Sequence, residues 1–231
     1  MRKIEPVYKE VLVQVFDYYK SLSPRNKTLF ENRVQKFINQ KEFIPEEGLE
    51  VVTPEMKALI AASAIQLTFG LPGIYFQTFK YIHVYPDFYF SQGMQQFNFG
   101  EVHKNGHIFL SWTHFLEGYT VPDNGRNLGL HEMAHALRLE NMILNAEYGY
   151  FAWEDIELLN QYTMEESERI TLGHPSLLRS YAASHYHEFF AVLVEVFFEQ
   201  SQQLREYHTG LYEVTVRLLK QDPMNPNLRI R

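Results

Sequence analysis

The chain of 231 residues is long enough for one substantial core and short for two independent domains. Its composition is 45% apolar, with 18 Phe and 15 Tyr, which argues against disorder. A net charge of −7 without a basic cluster argues against nucleic acid as a partner, and the lack of cysteine excludes disulfides, thiolate metal sites and Cys nucleophiles.

At the N-terminus, Glu5, Lys9, Glu10 and Asp17 interrupt the apolar residues, so no signal-peptide core is present. No stretch approaches the roughly 20 apolar residues of a membrane span. The expectation is a soluble, cytoplasmic protein with no membrane partner. Val7, Val11, Leu12, Val15, Phe16 and Tyr19 form one apolar stripe and predict a helix over 7–20. Ser23-Pro24 and Thr53-Pro54 are cap-then-proline signals that predict two further helix starts, the second helix ending at Gly70.

The period then changes. "IYFQTFKYIHVYP", "MQQFNFGEVH" and "HIFLSW" predict three or four strands between Ile74 and Trp112, with a turn at Asn105-Gly106. "EGYTVPDNG" reads as a loop. From Gly125 the pattern is helical again, over roughly 125–144, 152–169, 175–201 and 203–221. The expected fold is α+β, mostly helical with a small sheet.

The stretch "NLGLHEMAHALRLEN" carries the chemistry. His131 and His135 stand four apart, so on a helix their imidazoles lie one above the other and can share one metal ion. Glu132 is rotated about 100° around the axis, where it can take a proton from an attacking water without ligating. Leu128, Met133, Ala134, Ala136, Leu137 and Leu139 surround the pair, and buried imidazoles in such a helix need partners, which a metal provides.

An open catalytic site takes a third protein ligand. A third His six residues after the second is excluded, because Asn141 stands there and Arg138 replaces the required Gly. Two carboxylate groups remain: Glu154, Asp155 and Glu157 downstream of a loop, or Glu188 within "YAASHYHEFFAVLVEVFFEQ". Glu188 is preferred, since a carboxylate in so apolar a helix is costly without a cation or donors. Tyr181, Glu188 and Glu195 are spaced by seven and, on one continuous helix, line one face. Tyr181 is then either a core aromatic or a hydroxyl donor to a developing oxyanion. His185 and His187 rank below Glu188 as ligands. His83, His103, His107, His114, His174 and His208 read as surface or structural histidines.

"LHEMAHALRLEN", "YAASHYHEFFAV", "EVFFEQ", "LYEVTVRLLKQDP" and "GEVHKNGHIFLSW" together resemble the MtfA-like (Mlc titration factor A) zinc peptidases. The similarity runs from about Phe30, through "FINQKEFIPEEGLEVVTPEMKALIAASAIQLTFGL", to Asp222. The resemblance implies a gluzincin with a zincin-like fold, active-site kinship to anthrax lethal factor, and one Zn2+ per chain. It further implies His131, His135 and Glu188 as zinc ligands, Glu132 as general base and Tyr181 as transition-state stabiliser. The expected organisation is a single domain over 1–231, with 1–23 as a helical extension and 30–222 as the family-like region. Two positions depart from the family pattern: Arg138 where an Asp is usual, and His185-Tyr186 where Asn-Pro is common.

The activity expected is hydrolysis of a peptide or protein substrate by a metal-activated water. "GHIFLSW" is the expected edge strand above the metal, and Thr113 to Asn124, with Gly118, Pro122 and the following Gly125, an expected cleft-wall loop. The alternative is a regulatory binding module that sequesters a transcriptional regulator with little catalysis. A zinc hydrolase acting on a non-peptide amide or ester is a further rival.

Overall fold

The computed structural model describes residues 3–121, 123–144 and 150–227. The expected helix over 7–20 is two helices, α1 (Pro6–Val15) and α2 (Asp17–Ser21), because Phe16 adopts an extended conformation between them. That break turns the Phe16 ring into the core, against Phe30 and Tyr119. Helix α3 (Pro24–Gln40) starts as expected, with the Ser23 hydroxyl accepting from the Asn26 amide. Strand β1 (Glu42–Pro45) follows, an element the sequence reading had left out.

Thr53 caps α4 (Pro54–Thr68) through the Met56 amide. Every residue of α4 from Ala58 to Thr68 is buried, so this helix is hydrophobic all round rather than amphipathic. It packs against α1, α3 and the helix over Leu128–Leu144, and its position fixes theirs.

The region from Ile74 to Trp112 holds five strands: β2 (Tyr81–Tyr85), β3 (Tyr89–Ser91), β4 (Gln96–Asn98), β5 (Gly100–His103) and β6 (His107–Ser111). Four form one mixed sheet in the order β1-β2-β6-β5. The first three are parallel; β5 runs antiparallel to β6, with Gly100 opposite Leu110 and His103 opposite His107. Strands β3 and β4 make a separate antiparallel hairpin.

This order corrects one expectation. The "GHIFLSW" strand is β6, and it is interior, with β2 on one side and β5 on the other. The two edges of the sheet are β1 and β5. A second correction concerns residues 113–124, expected as a loop. They are largely the helix α5 (Trp112–Thr120), capped by the Ser111 hydroxyl. Pro122 lies outside the described residues.

The C-terminal half is helical: α6 (Leu128–Leu144), α7 (Trp153–Thr171), α8 (Tyr186–Glu199), α9 (Ser201–Tyr207) and α10 (Thr209–Leu219). A short 3-10 turn, Ser180–Ala183, precedes α8, so the expected helix over 175–201 begins eleven residues late. One hydrophobic core runs through the described chain, from Ile4 to Leu219. The fold is mostly helical α+β, as expected, and no helix among the described residues is long and apolar enough to cross a membrane.

Candidate metal centre

Helix α6 owes its start to Asn127, whose side-chain oxygen accepts from the Leu130 amide at 3.0 Å. The same side chain donates to the Gly118 carbonyl, tying α6 to α5. Leu130, Met133, Ala134, Ala136 and Leu137 are buried, which turns the opposing stripe of His131 and His135 toward α8.

There the two helices bring three ligand atoms together. His131 Nε2 lies 3.1 Å from His135 Nε2 and 3.1 Å from Glu188 Oε2, and His135 Nε2 lies 3.4 Å from the same oxygen. Atoms bound at about 2.0–2.1 Å with tetrahedral angles stand roughly 3.3 Å apart, so the spacing suits a single small divalent cation. Among the described residues, these three form the one group with convergent metal-ligating atoms. None of the alternative carboxylates joins this group, and Asp155, on α7, pairs with Arg217 at 2.6 Å.

The electrostatics point the same way. Burial by itself lowers the His131 pKa, but hydrogen bonds to Glu188 and Glu195 outweigh it and raise it to about 10. Glu188 is held well below the usual carboxylate range: burial pushes it up, and the two histidines more than reverse that. The protein has thus built a place where positive charge is favoured and the Glu188 carboxylate stays ionised. A divalent cation can replace protons in such a place, and the donor set of two imidazoles and a carboxylate suits a borderline ion.

Glu195 is the residue that sequence reasoning placed on the right face without a role. Only 2% exposed, it accepts from His131 Nδ1 at 2.6 Å, from Arg179 Nη2 at 2.6 Å and from the Asn127 amide at 2.6 Å. Holding the Nδ1 proton fixes the tautomer that leaves His131 Nε2 free to ligate. The signal for Glu195 was the same as for Glu188, an acid inside an apolar run. Arg179 gave no such signal; it reaches Glu195 from the segment before the 3-10 turn and also donates to the Gly125 carbonyl.

Glu132 is 4% exposed and sits against strand β5: a Cβ at Gly100 would come within 2.4 Å of its Oε1. Only a glycine lets the strand pass this close. Burial, offset in part by His131 and His135, raises the Glu132 pKa, which suits a group that takes and returns a proton. Tyr181 is not on the Glu188 helix, as the seven-residue spacing suggested, but on the 3-10 turn. It still arrives at the site, half exposed, with its ring 6.3 Å from that of His131. Burial and the neighbouring Glu188 carboxylate push its phenol up to about 12, so the hydroxyl stays a donor at neutral pH.

Two clefts, of about 530 and 820 Å³, meet at this point and share Gly100, His131, Glu132 and Tyr181 among their walls. His185 and His187 line the smaller one. His185 caps α8 by accepting from the His187 amide.

A buried acid beside two imidazoles and a carboxylate, with a protonated phenol across an open cleft, defines a metallopeptidase-like site. Comparison with known proteins agrees: the chain matches the family of glucose-regulated metallo-peptidases, M90, over residues 1–220, and it belongs to that family. The match takes in the N-terminal helices. Relatives include an uncharacterized protein, slr2042, of Synechocystis sp., 27% identical over 96% of this chain and 86% of its own length. Mlc titration factor A of Yersinia pestis and of Yersinia pseudotuberculosis are each 28% identical over 82% of this chain and 75% of theirs.

Proposed function

We propose that this protein is a zinc-dependent peptidase of the gluzincin type, with His131, His135 and Glu188 as ligands of one Zn2+. The observation that carries the reading is the convergence of those three ligand atoms beside the buried Glu132 in an open cleft. A bound zinc ion supplies Lewis acidity toward the scissile carbonyl and acidifies a water for attack.

The chain's own groups do the rest. Glu132, its pKa raised by burial, takes the water's proton and returns it to the leaving amine. Tyr181 donates its hydroxyl to the oxyanion that develops as the carbonyl carbon becomes tetrahedral. Glu195, braced by Arg179 and the Asn127 amide, keeps His131 in the ligating tautomer. The unpaired edge of β5 offers main-chain donors and acceptors to an extended substrate, and Gly100 brings that edge against Glu132.

Similarity to proteins named Mlc titration factor A favours a second role, binding of a transcriptional regulator. The two roles separate in one experiment: Glu132→Gln abolishes peptide hydrolysis and leaves zinc content and regulator binding intact. A Glu132→Gln protein that hydrolyses peptides at the wild-type rate removes the peptidase reading.

A further inference from the structure

Glu188 stands at the third position of α8, in the first turn of its helix. The first turn has amides without intrahelical partners, and helix ends fray. From Phe189 to Phe197 α8 is buried, but Tyr186, His187 and Glu188 are only half-buried, and the side chain that caps this end is that of His185. A ligand placed there needs something that holds the helix end at a fixed distance from the two histidines on α6.

The side chain that spans this gap is Arg138. It lies on α6, seven residues after His131 and three after His135, and is 7% exposed. Its Nη2 donates to the Tyr186 hydroxyl, which in turn donates to Asn160 Oδ1 on α7. The guanidinium carbon also sits 4.7 Å from the centroid of the Tyr186 ring and 5.2 Å from that of Phe190. Three helices thus meet at one hydroxyl, two residues before Glu188. The arrangement is dear for a packing contact: Arg138 Nη1 is buried without a hydrogen-bond partner, and no carboxylate pairs with Arg138 among the described residues. The two aromatic faces stabilise the cation in place of a counter-ion.

We infer that Arg138, Tyr186 and Asn160 form a positioning clamp that sets the start of α8 and thereby delivers Glu188 to the histidine pair. None of the three touches the reacting atoms. Arg138 acts through Tyr186, and Tyr186 acts through the helix end that carries the ligand. The inference rests on the metal reading proposed above.

The test measures the zinc dissociation constant by competition with a chromophoric chelator, alongside the melting temperature of the zinc-free protein. The proteins are wild type, Tyr186→Phe, Arg138→Met, the double variant and Asn160→Ala. Outer contacts that orient metal ligands are worth about 10- to 100-fold in affinity. Tyr186→Phe, which keeps the ring and loses only the hydroxyl, is expected to weaken zinc binding about 10-fold. Arg138→Met is expected to do at least as much, and the double variant to be no worse than the weaker-binding single one, because both break the same link. A merely structural role predicts instead a lower melting temperature for the zinc-free protein with zinc affinity unchanged. Wild-type affinity in Tyr186→Phe and Asn160→Ala overturns the clamp while leaving the zinc site standing. Failure of the wild type itself to bind zinc overturns the metal reading, and the clamp with it.

Discussion

Two pairs of histidines in this protein bring ring nitrogens within about hydrogen-bonding distance, and they do opposite things. On the outer face of the sheet, His83 Nε2 and His107 Nδ1 are 2.7 Å apart, with the rings stacked at 26°. Glu46 accepts from His83 Nδ1 at 2.6 Å, so in the neutral pair His83 Nε2 accepts from His107. Three of the four ring nitrogens are engaged in a line, Glu46 to His83 to His107, and the flat rings of Phe109 and Tyr81 pack against them. On α6, the rings of His131 and His135 are nearly perpendicular, at 81°, and both Nε2 atoms face a single point with Glu188. A linear chain satisfies itself with protons; a convergent triad calls for a cation. The count of imidazoles and carboxylates does not tell the two apart, but the direction of the free nitrogens does.

The largest expected effect breaks that contrast outright. Elemental analysis should find about one zinc per chain in the wild type and in His83→Ala, and none in His131→Ala or Glu188→Ala. Glu157→Ala should keep its zinc. Retention of zinc by Glu188→Ala would mean that another group completes the site. Next comes Glu132→Gln: peptide hydrolysis falls by about 100- to 10,000-fold with zinc retained, as kinetics on a fluorogenic peptide would show. Somewhat smaller is Glu195→Gln. It replaces the charged carboxylate that accepts from His131 with a neutral amide, and zinc affinity should drop about 10- to 100-fold in a chelator competition. An unchanged affinity would show that Arg179 and Asn127 hold α6 without help from this carboxylate.

Much of this was legible in the sequence where the cause is local. Ser23-Pro24 and Thr53-Pro54 started α3 and α4 because a cap needs only its own next three residues. His131 and His135 are fixed by helical spacing, and Glu188 was conspicuous as an acid in an apolar run. What was lost depends on distant partners. That β6 is interior could not be read from "GHIFLSW", since its neighbour is settled by β5, a four-residue strand. Strand β1, "EFIP", is too short and ends in a proline, yet pairs because β2 lies alongside. Residues 113–120 carry Gly118 and Thr120, weak helix formers, and are helical because Phe115 and Tyr119 pack into the core side of α5. Tyr181 reached the site for a different reason from the one its spacing offered: the chain turns before α8, and the turn, not the helix face, aims it.

The smallest effect tests the other half of the comparison, the pair on the sheet. Burial, with the charges of His83 and His103, lowers the His107 pKa below its ordinary 6.5. The groups facing it are His83 and the stacked Tyr81 on β2 and His103 on β5, with Glu46 beyond His83 and Glu101 beyond His103. A histidine with a lowered folded pKa binds fewer protons folded than unfolded between that value and 6.5. It therefore penalises the folded state at low pH, and the penalty fades as pH rises to 6.5, above which it contributes nothing. His107→Gln, which keeps a hydrogen-bonding side chain without the charge, should flatten the rise of melting temperature with pH below 6.5 and leave it unchanged above. The measurement is made on zinc-free protein, so that ligand binding at α6 does not enter. Parallel melting curves across the whole range would show that His107 titrates as freely folded as unfolded. The sheet pair would then be a surface contact rather than a pH-sensitive link.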